Sequence, residues 1–588
     1  MKPKDIFLEL LKKDGRPERA LKQYEALNVV LYDPVNAYLH GNRVRGKMTK
    51  DRWGTLIDFP EDAPGTIPFV TDETKVIKDI THWRDYAVAP DLDECINGDW
   101  EKCRQKAAAM DPHGNRLLTA FMGTGIFEQC HFLIPFTDSL TYLYEYPDEM
   151  HQLIDYILQY RLKQAEILID NLHPDAILSH DDWGTKDALF FKPEMWRKFF
   201  KEPYRQFYGY IRSRGVITIH HADSYLVPIL DDMAEIGIQV WQGALPENNI
   251  PEQLRRLNGK MVLMGGIGAA IDREDSTEEE IHKYVSSVLE ECCPLGHFIP
   301  CITYGVAGAV FHHVDPVIYR TIDEYNNKLH LPHYLQEASV KRQKPNDAAS
   351  GGQGETGAAA GNTGSSIKSR EDFSGKPEEL LSAISMALQD GKKSRVTDLT
   401  RKALENELPA ETILSRGLIS GMTLVGEDFT AGKVFVPEML MAAQCMNAAT
   451  DILKPLLTAG PSDNSLGTAV IGTVKGDLHD IGKNLVKIML EGQGIHVVDL
   501  GTDVSAEEFV ESARENNAQL ICCSAMLTTT MDEMRKVVDL VRKSPDMDHV
   551  KVMIGGAPTT QEYCDEIGAD RYTVDAASAA RAAAAMLQ

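Results

Sequence analysis

The residues that could do chemistry in this sequence fall into two groups. The first is Gly476-Asp477-Leu478-His479-Asp480-Ile481-Gly482. A neutral imidazole is a good ligand for a transition metal, and its second nitrogen needs an orienting partner. Asp477, two residues before His479, is placed to accept that proton and tune the ligand. A lone histidine in a strand-to-helix loop is more often a cap or a surface residue, but here the constellation is larger. Ser524-Ala525-Met526-Leu527-Thr528 follows a nearby apolar run, Gly555-Gly556-Ala557 ends the next, and Asp575 lies close to the end of the chain. The second group comprises His180-Asp181-Asp182-Trp183 and His221-Ala222-Asp223. Asp182 could polarise or protonate a substrate, and His221 or Asp223 could serve as a general acid. For the 180–183 run a helix or loop cap is an equal alternative.

Apolar patterning supplies the elements that must hold these groups. Over residues 1–340 short apolar runs (116–123, 175–180, 215–221, 238–243, 260–266 and 297–301) alternate with amphipathic helical stretches. Repeated strand–helix units of this length predict a (β/α)8 TIM barrel, whose chemistry sits at the C-terminal ends of the strands. Each run indeed ends in polar or small residues. Gly265-Gly266-Ile267-Gly268 lacks the full dinucleotide spacing and reads as a tight barrel loop. His220 should face away from the site, because neighbouring strand residues alternate faces. Residues 341–371 form a linker: Pro345 to Ser366 contains no aromatic and no branched aliphatic residue. A coil of that composition spans about 25 Å on average. Residues 372–462 carry apolar positions at helical spacing and predict a helical bundle. Residues 463–588 alternate five short strands with helices, the pattern of a small doubly wound, Rossmann-like α/β domain.

Composition narrows the function classes. With 61 Lys plus Arg against 87 Asp plus Glu, the net charge of −26 argues against a nucleic-acid partner, whose phosphates require clustered basic residues. No apolar run approaches the roughly 20 residues that span a bilayer, and the charged amphipathic start does not read as a signal peptide. Ten scattered cysteines fit a reducing cytoplasm better than a secreted disulfide framework.

On Asp477-x-His479-x-x-Gly482, Ser524-Ala525-Met526, Gly555-Gly556 and Tyr572-Thr573-Val574-Asp575, residues 370–588 resemble the cobalamin-binding domain of methionine synthase and of methyltransferase corrinoid proteins. The helical stretch containing GEDFTAGKVFVPEML resembles their cap, with Phe435 and Met439 as candidate shields of the cofactor or, equally, core residues of the bundle. The resemblance implies that His479 is the lower ligand of cobalt. It also implies that the corrinoid is held by Gly476, Asp477, Asp480, Ile481, Gly482, Ser524, Leu527, Thr528, Gly555, Gly556, Ala557 and Asp575. The first half resembles the uroporphyrinogen decarboxylase-like barrels, which include corrinoid-dependent methyltransferases. Members of that group bind zinc through a His-x-Cys and a later Cys; here the matching residues are His221, Asp223 and Cys301, with aspartate replacing the first thiolate. A metal-free site using Asp223 or His221 as acid is the alternative.

Two such modules in one chain imply a fused corrinoid methyltransferase that demethylates a small methylated donor, with Asp182, His221 and Asp223 as candidate catalytic residues. The methyl would pass to the corrinoid and then, through a second methyltransferase, to a folate-type or thiol acceptor. A separate reductive activase would restore oxidised cobalt. Aromatic side chains Trp183, Tyr225, Trp241 and Tyr304 near the strand ends suit a methoxylated aromatic donor, although aromatic residues in strand tails are usually core. Halomethane, methanol or methylamine donors fit the same architecture, and a cobalamin sensor or a decarboxylase fits less well.

Overall fold

The computed structural model describes residues 1–41, 43–60, 66–302, 309, 311–329, 377–457, 466–477, 481–525, 530–556 and 558–587. The expected linker, 341–371, lies outside the described residues. The chain forms two compact units, Met1–Ala359 and Ala360–Gln588.

In the first unit, β1 (Leu27–Val30) opens a parallel sheet. A small antiparallel sheet of β2 (Thr49–Lys50), β3 (Leu56–Asp58) and β4 (Ile67–Pro68) follows. The parallel sheet continues with β5 (Leu117–Met122), β6 (Ala176–His180), β7 (Ile217–His221), β8 (Val240–Ala244), β9 (Val262–Ile267) and β10 (Phe298–Ile302). Its order is β1-β5-β6-β7-β8-β9-β10, seven strands among the described residues. Six of the seven coincide with the apolar runs of the sequence. Helix α1 (Pro3–Leu10) starts on a proline, which is tolerated in a first turn because its missing N–H has no intrahelical partner there. It buries Ile6, Phe7 and Leu10 in one apolar cluster with Leu27, Leu117, Leu178, Ile219, Val240, Val262 and Ile299. Because every strand of the sheet contributes to that cluster, the sheet must curl around it.

Three helices position the chemistry. Helix α2 (Ile126–Leu133) follows β5, α3 (Pro147–Leu172) packs on α2, and α4 (Glu202–Ser213) precedes β7. The sequence over residues 139–172 reads as one helical stretch. In the structure a helix over Phe136–Glu145 stops and Pro147 begins α3, since proline is admitted at a first turn and disfavoured inside a helix.

The second unit begins with α5 (Pro377–Gln389), α6 (Lys393–Glu405), α7 (Ser420–Thr430) and α8 (Val436–Leu457). These form a bundle around Leu380, Ile384, Val396, Met422, Met439 and Ala449. Met439 is fully buried there, so it packs the bundle core. The sheet domain follows: β11 (Thr468–Thr473), α9 (Ile481–Gly492), β12 (His496–Asp499), α10 (Ala506–Glu515), β13 (Leu520–Ser524), α11 (Met531–Lys543), β14 (Lys551–Gly555), α12 (Gln561–Ile567), β15 (Arg571–Thr573) and α13 (Ala576–Leu587). All strands are parallel in the order β12-β11-β13-β14-β15. Alternation along the strands divides the core between two faces. Val470, Ile521, Cys523 and Val552 meet Phe509 and Val537 on one face, whereas Ala469, Ile471, Cys522 and Met553 meet Leu490 and Ala583 on the other. Adjacent Cys522 and Cys523 are therefore core residues of opposite layers, and no described cysteine is in a disulfide. The cap packs on α9 and α13 through Met489, Ala576 and Ala580. No helix among the described residues is long and apolar enough to cross a membrane.

Candidate functional site

Residues 176, 178 and 180 of β6 and 217, 219 and 221 of β7 share the inward face. The first positions enter the apolar cluster, and the last place His180 and His221 at the C-terminal ends of adjacent strands. Their rings stack with centroids 4.7 Å apart and an interplanar angle of 19°. His180 Nδ1 lies 2.9 Å from Oε2 of Glu128 on α2, and its Nε2 lies 3.7 Å from Oδ2 of Asp182. His221 Nδ1 pairs with Oε1 of Gln242 on β8. Carboxylate and amide oxygens can only accept, so both rings carry a proton on Nδ1 in these pairs. Asp182 Oδ1 accepts from the Asp223 backbone N–H at 3.1 Å and from Ser224 Oγ at 3.3 Å. The structure therefore brings Asp182, His221 and Asp223 to one place, together with His180. The ligand atoms of His180, Asp182 and His221 all lie within 4.8 Å of one another.

Fully buried Asp181 accepts from the backbone N–H groups of Phe127 and Glu128, each at 2.9 Å. It thereby satisfies two donors at the start of α2 and fixes Glu128 against His180. Charge and burial set the protonation states. Burial alone would depress the His180 imidazolium, but Glu128 and then Asp182 outweigh it and push its pKa up to about 10. Glu128 is raised by burial, yet His180 holds it below its ordinary value. Burial lifts Asp182 to about 6, and lifts Asp181 and Asp223 as well. Burial, then the His180 charge, takes His221 down to about 4.

The zinc set expected from the sequence is not assembled. Cys301 lies on β10, three strands from β7, and is buried in the apolar interior cluster. Burial alone pushes its thiol up, with no imidazole or carboxylate acting on it. His221 gathers with His180 and Asp182 instead. The aromatic lining also differs. Trp183 is fully buried and stacked on His220 at 4.2 Å, and Trp241 is buried with its Nε1 donating to Ala222 O at 2.8 Å. Tyr304 lies outside the described residues. His220 does point away, with Tyr208 Oη at 2.7 Å from its Nδ1. Half-buried Phe136 and Phe190, whose rings are 5.0 Å apart, lie at the same end of the barrel as the polar cluster. Glu128 and Gln242 escaped the sequence reading because neither sits in a motif; only their place on a neighbouring helix and strand brings them in.

In the second unit, the loop after β11 holds Gly476 at φ +81°, its N–H donating to Asp503 Oδ1 at 2.7 Å. Asp477 is fully buried and accepts from Thr530 Oγ1 at 3.1 Å. His479, Asp480, Leu527, Thr528 and Ala557 lie outside the described residues, as does the side chain of Ile481. A Cβ built on Gly482 would meet no atom of the described residues within 4 Å, so none of them demands glycine there. A ligand lying along the start of α9 would. Gly556, at φ +128°, passes so close to Ala525 that a Cβ would sit 1.8 Å from that carbonyl oxygen. Ser524 and Gly555 pair in register at the strand ends beside it. These features fit a cobalamin whose tail enters between β13 and β14. Asp575 accepts from the Ser578 N–H at 2.6 Å and caps α13. Lys483, with a 2% exposed side chain, bonds Asp499 at 2.6 Å and ties α9 to β12.

Family models agree with this division. One described as a B12 binding domain matches residues 467–584, a second B12 binding domain matches 380–454, and uroporphyrinogen decarboxylase (URO-D) matches 54–305. The chain is 46% identical to dimethylamine corrinoid protein 2 of Methanosarcina acetivorans over 210 residues, covering 36% of this chain and 97% of that protein. It is 40% identical to trimethylamine corrinoid protein 1 of the same organism over 196 residues, 33% of this chain and 91% of that protein. The methanol:cobalamin methyltransferase complex MtaBC of Methanosarcina barkeri matches at 29% identity over 36% of this chain and 80% of that one, with a TM-score of 0.33. The chain belongs to the corrinoid protein family and, with its URO-D-like barrel on the same polypeptide, is a fused corrinoid-dependent methyltransferase.

Proposed function

We propose that the barrel demethylates a small methyl ether, such as a methoxylated aromatic, and that the methyl passes to the corrinoid of the same chain. Bound cobalamin would supply the nucleophilic cobalt, with His479 as its lower ligand and Asp477 orienting that histidine. The observation that carries the ether reading is the convergence of His180, Asp182 and His221 at the strand ends. An ether oxygen is a poor leaving group unless a proton or another electrophile meets it as the C–O bond breaks. A halomethane donor departs as halide and needs no such assistance. Phe136 and Phe190 offer an aromatic ring an apolar surface at the same end of the barrel. A second methyltransferase would then carry the methyl to a folate-type or thiol acceptor, and a reductive activase would rescue oxidised cobalt.

A methylamine donor is the second reading, favoured by the names of the dimethylamine and trimethylamine corrinoid relatives. Those relatives match about a third of the chain, whereas donor choice would belong to the barrel. The test is a panel of methoxylated aromatics, dimethylamine, trimethylamine and methanol, each added to the full chain with its corrinoid reduced and followed by the absorbance change on methylation. Response to an aryl methyl ether alone supports the proposal. Response to an amine alone rejects it in favour of the second reading. His479→Ala should shift the corrinoid absorption spectrum; an unchanged spectrum would remove His479 as ligand.

A further inference from the structure

The helix that orients His180 also carries an aromatic wall. Glu128 on α2 meets His180, and His131 follows three residues later on the same helix face. The His131 ring packs on Phe127 and on Phe136, with centroids 5.3 Å and 5.5 Å away. Phe136 meets Phe190 at 5.0 Å, and Phe127 lies 6.2 Å and 5.9 Å from these two. Phe190 closes the hairpin that follows β6, its N–H donating at 3.0 Å to the carbonyl oxygen of Trp183, the neighbour of Asp182. The wall therefore runs from the flank of Glu128 to the flank of Asp182. Phe127 is its fully buried floor, whereas His131, Phe136 and Phe190 are half-buried.

His131 is the one polar ring of the four. Burial takes its pKa down to about 4, so at neutral pH it is an uncharged imidazole with one N–H and one lone pair. Neither ring nitrogen bonds to another of the described residues, which leaves both for a molecule seated on the wall. The nearby cations are already committed. His180 is bonded to Glu128, Arg161 to the Met122 and Gly123 carbonyls, Gln164 and Ser179, and Lys75 to Asp72. A carboxylate on the bound ring would meet Glu128 with no uncommitted one of these to offset the repulsion. A neutral hydroxyl or ether oxygen meets no such penalty and can pair with a neutral imidazole.

We propose that the donor's ring lies on the wall of Phe127, Phe136 and Phe190, and that His131 selects rings bearing a second, uncharged oxygen substituent by hydrogen bonding to it. This deepens the demethylase reading and rests on it for the reaction; binding of the ring does not need the reaction.

The test uses the full chain with its corrinoid left oxidised, so that no methyl moves, and measures binding by calorimetry. The probes are phenol, the three dihydroxybenzenes, benzoate and tetramethylammonium. At least one dihydroxybenzene should bind about 2- to 12-fold more tightly than phenol, the worth of one neutral hydrogen bond. Benzoate should bind more weakly than phenol. His131→Phe keeps an aromatic ring in the wall and should bring the dihydroxybenzene-to-phenol ratio to about one. His131→Gln, which retains a donor and an acceptor, should keep part of the preference. Phe136→Ala should weaken every phenol together and leave the ratio standing. No preference in the unaltered chain, a preference that survives in His131→Phe, or benzoate or tetramethylammonium binding more tightly than every phenol overturns the inference. The comparison within the unaltered chain needs no variant, so a misfolded mutant does not blunt it. The preference found in a chain that demethylates no ether would leave His131 as the selecting residue and reject only the reaction. Ether demethylation without the preference would do the reverse.

Discussion

The contact between Gly125 and Asp181 offers a sharp mechanical test of how the barrel site is held. A Cβ added at Gly125 would lie 2.2 Å from the Asp181 Cβ and Cγ and 2.3 Å from its Oδ2, where ordinary contact begins at 3.4 Å. The Asp181 carboxyl must therefore retreat by more than 1 Å, which stretches both 2.9 Å hydrogen bonds from Phe127 and Glu128 beyond bonding range. Each buried N–H left without an acceptor costs about 1–3 kcal/mol, so Gly125→Ala should destabilise the barrel unit by about 2–6 kcal/mol. Asp181→Gly removes the same two bonds, and the Cβ with them, and should cost at least as much. In the double variant neither carboxyl nor Cβ is left at 181 to displace, so its cost should stay close to that of Asp181→Gly alone, with a coupling of several kcal/mol. All six tryptophans, at positions 53, 83, 100, 183, 196 and 241, belong to the first unit, so urea unfolding followed by tryptophan emission reads that unit alone. Additive losses in the double variant would refute the reasoning.

Further predictions concern the second unit. Gly482→Ala should leave apo stability unchanged, since its Cβ meets no atom of the described residues, yet weaken corrinoid binding in an absorbance titration; equal affinity would mean that the corrinoid does not lie there. Gly556→Ala, forced against the Ala525 carbonyl oxygen, should cost both stability and corrinoid affinity. Burial raises Asp499, but the Lys483 hydrogen bond outweighs it and holds its carboxyl below the ordinary value. A depressed folded pKa gives stability that is present above about pH 4, the unfolded value, and lost as pH falls through the folded one. Lys483→Met should therefore flatten the acid-side decline in urea midpoint, read by circular dichroism on the second unit's transition, and an unchanged acid slope would contradict the pairing.

Much of this was legible in the sequence wherever period and chemistry coincide. The five strands of the cobalamin domain and six of the barrel strands fall where the sequence placed them; the central ones are continuously apolar because both faces are buried, whereas the partly exposed edge strands β12 and β15 showed only by alternating with helices. The first strand, Leu27–Val30, was missed, being four residues long with no clear helical partner before it. Cys301 was misassigned because sequence order cannot say which side chains a curled sheet brings together. It shares the inward face with His221 but sits three strands away in an apolar cluster. Trp183 and Trp241 read as mouth aromatics, yet both are interior, one stacked on His220 and the other bonded to Ala222 O. Glu128 and Gln242 carry no motif, and their roles exist only through tertiary contact.

The central claim is that one polypeptide both holds the corrinoid and removes the donor methyl. Its most direct measurement is a single turnover of the purified full chain, corrinoid reduced and no other protein present, with an aryl methyl ether labelled with carbon-13 in the methyl group. The account predicts one labelled methyl on the protein-bound corrinoid per chain and one equivalent of demethylated phenol. Label appearing on the corrinoid only after a separate barrel protein is added, or intact donor after prolonged incubation, would contradict it.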